Sequence, residues 1–209
     1  MAHRGSYAKG IAKREEILTR ALEVVARQGV RGASVKVIAD AVGLSQAGLL
    51  HYFDSKEELF TEILRKRDEL DQIASRPDAD DLVGGFLRVV RHNAEVPGLV
   101  ELFSRLAVDA ADPRHPAHDY FLERSAGLRA EMSASIAALS ARGDAPAGDP
   151  EAIARIVQAA TDGLQLQWLL DPSIDMAGTL ETLFALLRAA AGDGSGGGTH
   201  AAGSGAASS

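Results

Sequence analysis

The residues with chemistry to do lie between Ser34 and Glu58: Ser-Val-Lys-Val-Ile-Ala-Asp-Ala-Val-Gly-Leu-Ser-Gln-Ala-Gly-Leu-Leu-His-Tyr-Phe-Asp-Ser-Lys-Glu-Glu. The pattern is helix, tight glycine turn, short helix. Ala39 is small where two helices must approach closely, and Gly43 supplies the left-handed backbone that closes the first of them. Leu44 and Leu49 turn inward. Ser45, Gln46, Ala47 and Gly48 keep the front of the second helix slim enough to enter a groove of double-stranded nucleic acid. Its open amides favour a phosphate. A helical hairpin in an ordinary bundle would carry the same glycine turn, so the motif alone leaves both possibilities open.

The elements that position this stretch are all helical. Ile11, Ile17, Leu18, Ala21, Leu22 and Val25 recur at three- and four-residue steps, and Gly29 ends that helix. Ser34 caps a second helix running through Val42, and Ser45 caps a third running to about Tyr52. Ser55 opens a fourth with a capping box, in which its hydroxyl accepts from the Glu58 amide and Glu58 reaches back. A break at Pro77–Asp80 precedes a fifth helix over Asp81–Glu95. Pro97 starts a sixth to Ala111, and Pro116 a seventh to about Ala141. A loop over Arg142–Gly148 follows. Asp149-Pro150 opens an eighth helix to Leu170, and Asp175 a ninth to about Ala190. The Gly/Ser/Ala-rich stretch 192–209 has no apolar surface to bury and reads as a disordered tail. The expected fold is all-α, with a three-helix head over 1–54 and a larger helical body over 55–191.

Composition narrows the function classes. The chain has 209 residues, no cysteine and seven more acidic than basic residues. Absence of cysteine excludes disulfides, thiolate metal sites and a cysteine nucleophile. The first 53 residues run against the average, with eight Lys or Arg against four Asp or Glu. A basic end on an acidic body suits a module that meets phosphate, carried by one that does not. The N-terminal residues lack a signal-peptide core, and no apolar run reaches the length of a membrane span, so the reading is a soluble cytoplasmic protein with no membrane partner.

With Ile38, Ala39, Val42, Gly43, Leu44, Ser45, Tyr52, Phe53, Ser55, Lys56, Glu57 and Leu59 in this order and spacing, the sequence resembles the TetR family of transcriptional regulators. The match is close over about Arg14–Phe60. Pro97–Phe103 and Asp162–Trp168 resemble the family's regulatory domains more loosely. The resemblance implies a ligand-responsive regulator, a repressor by family habit, that binds a pseudo-palindromic DNA operator as a homodimer and is released by a small, partly apolar molecule. No cofactor is implied.

Carried across residue by residue, the resemblance implies that Ser45, Gln46, Ala47 and Gly48 face base edges, with the Gln46 amide able to pair bidentately with adenine. It sets Tyr52 and Lys56 on phosphates, with Ser34 and Lys36 near the DNA backbone. Lys9, Lys13 and Arg14 could add contacts from the N-terminal arm. One departure stands out: many members carry Tyr where this chain has Leu50, and His51 compensates only in part.

In the body, family precedent is a ligand pocket and a four-helix dimer interface. Phe86, Val90, Phe103, Phe121 and Trp168 are the candidate apolar lining, with Asn93, His92 and Gln165 as polar contacts. Ile153, Ile156, Val157, Ala160 and Leu164 of the eighth helix, with Leu180, Leu183, Phe184 and Leu187 of the ninth, are the candidate dimer face. The same stripes would serve equally well inside one subunit.

Two other functions compete. His115 and His118, with Asp112 and Asp119, invite a metal or enzyme reading. The His-x-x-His spacing is weak, however, and the chain lacks a nucleophile elbow and a Gly-rich phosphate loop, so neither a metal nor catalysis is expected. The other rival is a helical protein-interaction module without DNA binding.

Overall fold

The computed structural model describes residues 2–74, 81–141 and 148–193. The Pro77–Asp80 break, most of the 142–148 loop and nearly all of the expected tail lie outside the described residues. Among the described residues there are nine helices and no strand. They are α1 (Ala2–Gly32), α2 (Val35–Ala41), α3 (Gln46–Leu49), α4 (Lys56–Ala74), α5 (Leu82–Glu95), α6 (Pro97–Asp109), α7 (His118–Ala141), α8 (Pro150–Leu170) and α9 (Met176–Asp193). No helix of the described residues is long and apolar enough to cross a membrane.

Capping side chains set most of the starts. Ser34 accepts from the Val37 amide at 3.2 Å, and Ser45 from the Gly48 amide at 3.0 Å. Ser55 accepts from the Glu58 amide at 2.9 Å, while the Glu58 carboxylate accepts from the Asp54 amide, closing the expected box one residue early. Asp81, Asp149 and Asp175 cap α5, α8 and α9 in the same way. Each cap contributes about 1 kcal/mol. Gly29, at φ 67°, kinks α1 so that the last turn swings away, and Gly43, at φ 69°, makes the turn between α2 and α3.

Several boundaries differ from the sequence reading: the first helix carries on past Gly29 to Gly32, and the sixth stops at Asp109 instead of Ala111. The third helix stops at Leu49 instead of about Tyr52, because the Tyr52 amide turns to the Leu49 carbonyl at 3.0 Å and the chain bends there to bury Phe53. The seventh begins at His118, two residues after Pro116. The ninth runs on to Asp193, past the expected end at Ala190.

The main core spans what the sequence divides. Ile17, Ala21, Val25, Ile38, Leu49 and Phe53 of the head pack continuously with Leu59, Ile63 and Leu64 of α4, and with Leu99, Leu102, Phe103 and Tyr120 of α6 and α7. There is thus no gap in packing after Asp54; the first half of α4 completes the core of the head. A second cluster, built on Leu87, Val90, Val100, Trp168, Met176 and Leu180, ties α5, α6, α8 and α9 together. Burying each large aliphatic side chain contributes roughly 1.5–3 kcal/mol.

Candidate functional site

The short helix α3 stands on Leu49, which is fully buried, and turns its first residues outward. Ser45, Gln46 and Ala47 are exposed and Gly48 is half-buried. Lys36, His51 and Lys56 are exposed around them, and Tyr52 is half-buried. The structure thus gathers the nine residues expected to meet DNA onto the helix–turn–helix and the opening of α4. Ser34 and Ser45 each spend a lone pair on capping, which leaves the hydroxyl hydrogen free to donate to a phosphate oxygen. His51 meets Tyr52 edge to face, with ring centroids 5.9 Å apart. Leu50 is 39% exposed and presents no polar atom at the position where a phenol is common in the family.

The basic character of the head changes once contacts are drawn. Lys13 pairs with Glu16, Arg20 and Arg27 with Glu23, and Arg31 with Glu101. Arg14 does not belong to an arm reaching outward. It holds Glu62 at 2.8 Å and Glu58 at 3.2 Å and lies 4.7 Å over the Phe53 ring, so it clamps α1 to α4. Lys9, Lys36 and Lys56 form no ion pair among the described residues, which leaves Lys36 and Lys56 as cations beside α3. The Lys56 ammonium also lies 5.4 Å over the Phe60 ring.

The candidate pocket residues divide. Phe86, Val90 and Trp168 belong to the second apolar core, with Phe86 edge-on to Phe184 at 5.9 Å. Phe121 packs against Phe103 at 5.1 Å in the main core, and His92 points out to Glu95. Asn93, Phe103 and Gln165 do meet, around a cavity of about 20 Å³ whose other walls are Arg67, Asp71, Val89 and Arg124. That volume suits roughly one water molecule, so a larger occupant must open it. A larger but open groove of about 170 Å³ between α1 and α2 is walled by Arg20, Glu23 and Arg27, which pair with each other.

Sequence reasoning missed the charged residues of this cavity, because they sit on helices whose apolar period dominates the pattern. Asp68 Oδ1 accepts from Arg67 Nε and Nη2 at 3.1 and 2.7 Å. Its Oδ2 accepts from the Tyr120 hydroxyl at 2.7 Å and Arg124 Nε at 2.9 Å. Burial pushes the Asp68 carboxyl up, but Arg67, Arg124 and Tyr120 together outweigh it and hold the group below its ordinary value. Burial pushes the Tyr120 phenol well above its ordinary range. Asp71 and Asp162 are pushed up by burial, with Arg124 opposing this in both.

The residues expected at a dimer face divide as well. Ile153, Val157 and Leu180 are buried in their own subunit, and Ala160, Leu164, Leu183 and Phe184 pack half-buried on the second core. Leu187 is half-buried, and Ile156 is exposed. The exposed large apolar side chains here are Ile156, Leu166 and Leu170, on one side of α8 at about 3.6 residues per turn, and Leu186 of α9. Leu170 is 88% exposed.

The two histidines of the α6–α7 connection have backbone duties. His115 Nδ1 accepts from the Ala117 amide at 3.2 Å, and His118 Nδ1 donates to the Ala110 carbonyl at 2.8 Å. Both ring nitrogens on that side are engaged in shaping the turn. No group of three or more potential metal ligands occurs among the described residues.

A helix–turn–helix head sharing its core with a larger helical body defines the architecture of a helical DNA-binding regulator. The chain belongs to the TetR family: residues 17–63 match the bacterial regulatory proteins of the tetR family, and residues 102–192 match the C-terminal region of BetI-type transcriptional repressors. The transcriptional repressor KstR2 of Rhodococcus jostii is 32% identical over 105 residues, covering 50% of this chain and 46% of that protein. The chain therefore matches about half the length of that relative. A TetR transcription regulator from Haloarcula marismortui shares the fold with a TM-score of 0.68 at 20% identity, covering 86% of this chain and 97% of that one. A transcriptional regulator from Saccharomonospora viridis, solved in complex with choline, gives 0.67 at 21% identity, covering 82% and 95%.

Proposed function

We propose that this protein is a ligand-responsive repressor that binds a pseudo-palindromic operator as a homodimer. The observation that carries the reading is the outward face of α3, where Gln46 and Ala47 stand exposed above a fully buried Leu49, with Lys36 exposed on α2 before it and Lys56 exposed at the start of α4 after it. A slim, polar helix start flanked by unpaired cations suits a major groove and its phosphates. Gln46 reads a base, preferably adenine. Ser34, Lys36, Tyr52 and Lys56 hold the backbone, with Ser45, Ala47, Gly48 and His51 completing the contact face. KstR2 is named a repressor, which supports the direction of control. The choline seen in the Saccharomonospora regulator supports a small molecule in the body.

The test is fluorescence anisotropy against duplex from upstream of the protein's own gene, with a scrambled duplex as control, across a salt series. Tight binding to the upstream duplex alone is expected, weakening steeply with salt. Gln46→Ala should weaken specific binding by about 1–3 kcal/mol and leave nonspecific binding and the melting temperature unchanged. Retained specificity in Gln46→Ala would remove that residue as a reader. Binding to neither duplex at low salt would favour the interaction-module alternative.

The dimer is proposed to form through the outward stripe of Ile156, Leu166, Leu170 and Leu186. A partner covering these side chains removes a contiguous apolar patch from water. Leu166→Glu combined with Leu170→Glu should convert the dimer to monomer in sedimentation velocity, and operator affinity should fall with it because two half-sites are no longer held together. A double variant that sediments as the wild type would rule this face out.

A further inference from the structure

The cavity between α4, α5, α6, α7 and α8 is walled by two guanidiniums, Arg67 and Arg124, and by the Asp71 carboxylate. Arg67 and Arg124 lie on the Phe103 ring, 5.2 and 4.8 Å from its centre, and share Asp68. Asp68 has no oxygen left over. Asp71, which lines the cavity as well, stands 3.9 Å from Arg67 Nε, and burial pushes its carboxyl up while Arg67 opposes this. Burial pushes the Asp162 carboxyl up too, with Arg124 opposing it. The two guanidiniums are the cations of this cavity.

Arg124, Gln165 and Asn93 each bring N–H donors to the cavity. Arg124 uses Nε on Asp68, and its two terminal nitrogens have no hydrogen-bond partner among the described residues. Gln165 is only 8% exposed, lines the cavity, and its amide has no hydrogen-bond partner among the described residues; Asn93, half-buried, lines it too. A guanidinium edge beside two amides fits a carboxylate, which takes parallel hydrogen bonds from the guanidinium and further ones from the amides. A cation would have to sit beside two guanidiniums. Phe103 and Val89 offer apolar wall for the rest of such a ligand.

We propose that the effector carries a carboxylate, bound by Arg124 with Gln165 and Asn93, and that it acts by competing with Asp68 for Arg124. The inference rests on the ligand-responsive reading above. Asp68 belongs to α4 and Arg124 to α7, so the competition loosens the tie between them. The same α4 holds the reading head through Glu58 and Glu62 on Arg14. A ligand that binds the loosened arrangement more tightly than the tied one shifts the head, as linkage requires.

Isothermal titration of the full chain with hexanoate, hexanamide and hexylamine separates the possibilities, since the three share an apolar tail and differ in head-group charge. Hexanoate is expected to bind and to raise the melting temperature, with the other two inert. Arg124→Gln should weaken hexanoate by at least about 30-fold. Gln165→Met, which keeps the volume, should weaken it less while leaving the circular dichroism and melting temperature of the unliganded protein unchanged. Hexanamide or hexylamine binding as tightly as hexanoate, or hexanoate binding undiminished in both variants, would overturn the carboxylate site while leaving a ligand-responsive regulator intact. Inertness of all three at millimolar concentration would also overturn it. Operator binding, measured on the same samples by anisotropy, tests the regulator reading independently of any of these outcomes.

Discussion

Replacing Asp68 by alanine is expected to lower the unfolding free energy by about 3–5 kcal/mol, the typical cost of removing one partner from a buried ion pair. The carboxylate receives Arg67, Arg124 and the Tyr120 hydroxyl at once, and Arg67 is itself buried. Its loss leaves the buried Arg67 with the more distant Asp71 carboxylate, 3.9 Å away, and frees the link between α4 and α7. In a chain of this length the melting temperature should fall by roughly 10 °C. Tyr120→Phe, which removes one hydrogen bond and keeps the ring, should cost only about 1 kcal/mol. Equal, small losses in both variants would show that the network contributes little.

The same site gives a pH signature. Because the folded Asp68 carboxyl is held below its ordinary value, its contribution is complete above the unfolded carboxylate range. It is lost as pH falls through the depressed folded value. Asp71 and Asp162, raised by burial, act in the opposite sense: they oppose folding at neutral pH and are relieved by acid. The melting-temperature gap between wild type and Asp68→Asn should therefore be widest near neutrality and close in strong acid. A gap independent of pH would mean that Asp68 contributes by shape alone.

Gly98→Ala should have a comparable effect by a different route. A Cβ at Gly98 would stand 2.1 Å from the Val25 carbonyl oxygen and 2.9 Å from the Gly29 Cα. Both are backbone atoms of α1, so no side chain can rotate away. The start of α6 would have to withdraw from α1, opening the seam where the head joins the body, at a cost of about 3 kcal/mol. Gly127→Ala is the control. It lies in α7 with nothing within 4 Å of the added carbon, so it should stabilise by roughly 0.5–1 kcal/mol through helix propensity. Unfolding by urea measures both, and a neutral Gly98→Ala would show that the two helices slide apart freely.

Much of this protein is local, and its sequence determined that much alone. Ser34, Ser45, Ser55, Asp81, Asp149 and Asp175 start helices because a short polar side chain meets amides within its own first turn. Gly29 kinks α1 and Gly43 turns the chain after α2 because positive φ is open to glycine. The helix–turn–helix was legible for the same reason, since Ala39, Gly43, Leu44 and Leu49 fix it within a few residues. Tertiary structure decided which side of each helix is inside. The apolar period of α8 and α9 marks Ile153, Val157 and Leu180 as strongly as Ile156 and Leu170, and only the packing of these helices on α5, α6 and α7 separates core from surface. Arg14, Arg67, Asp68 and Arg124 read along the chain as ordinary solvated charges. Their roles come from partners on other helices, up to 56 residues away in the case of Asp68 and Arg124. An ion pair of that kind depends on distance in space, which spacing along the chain does not encode.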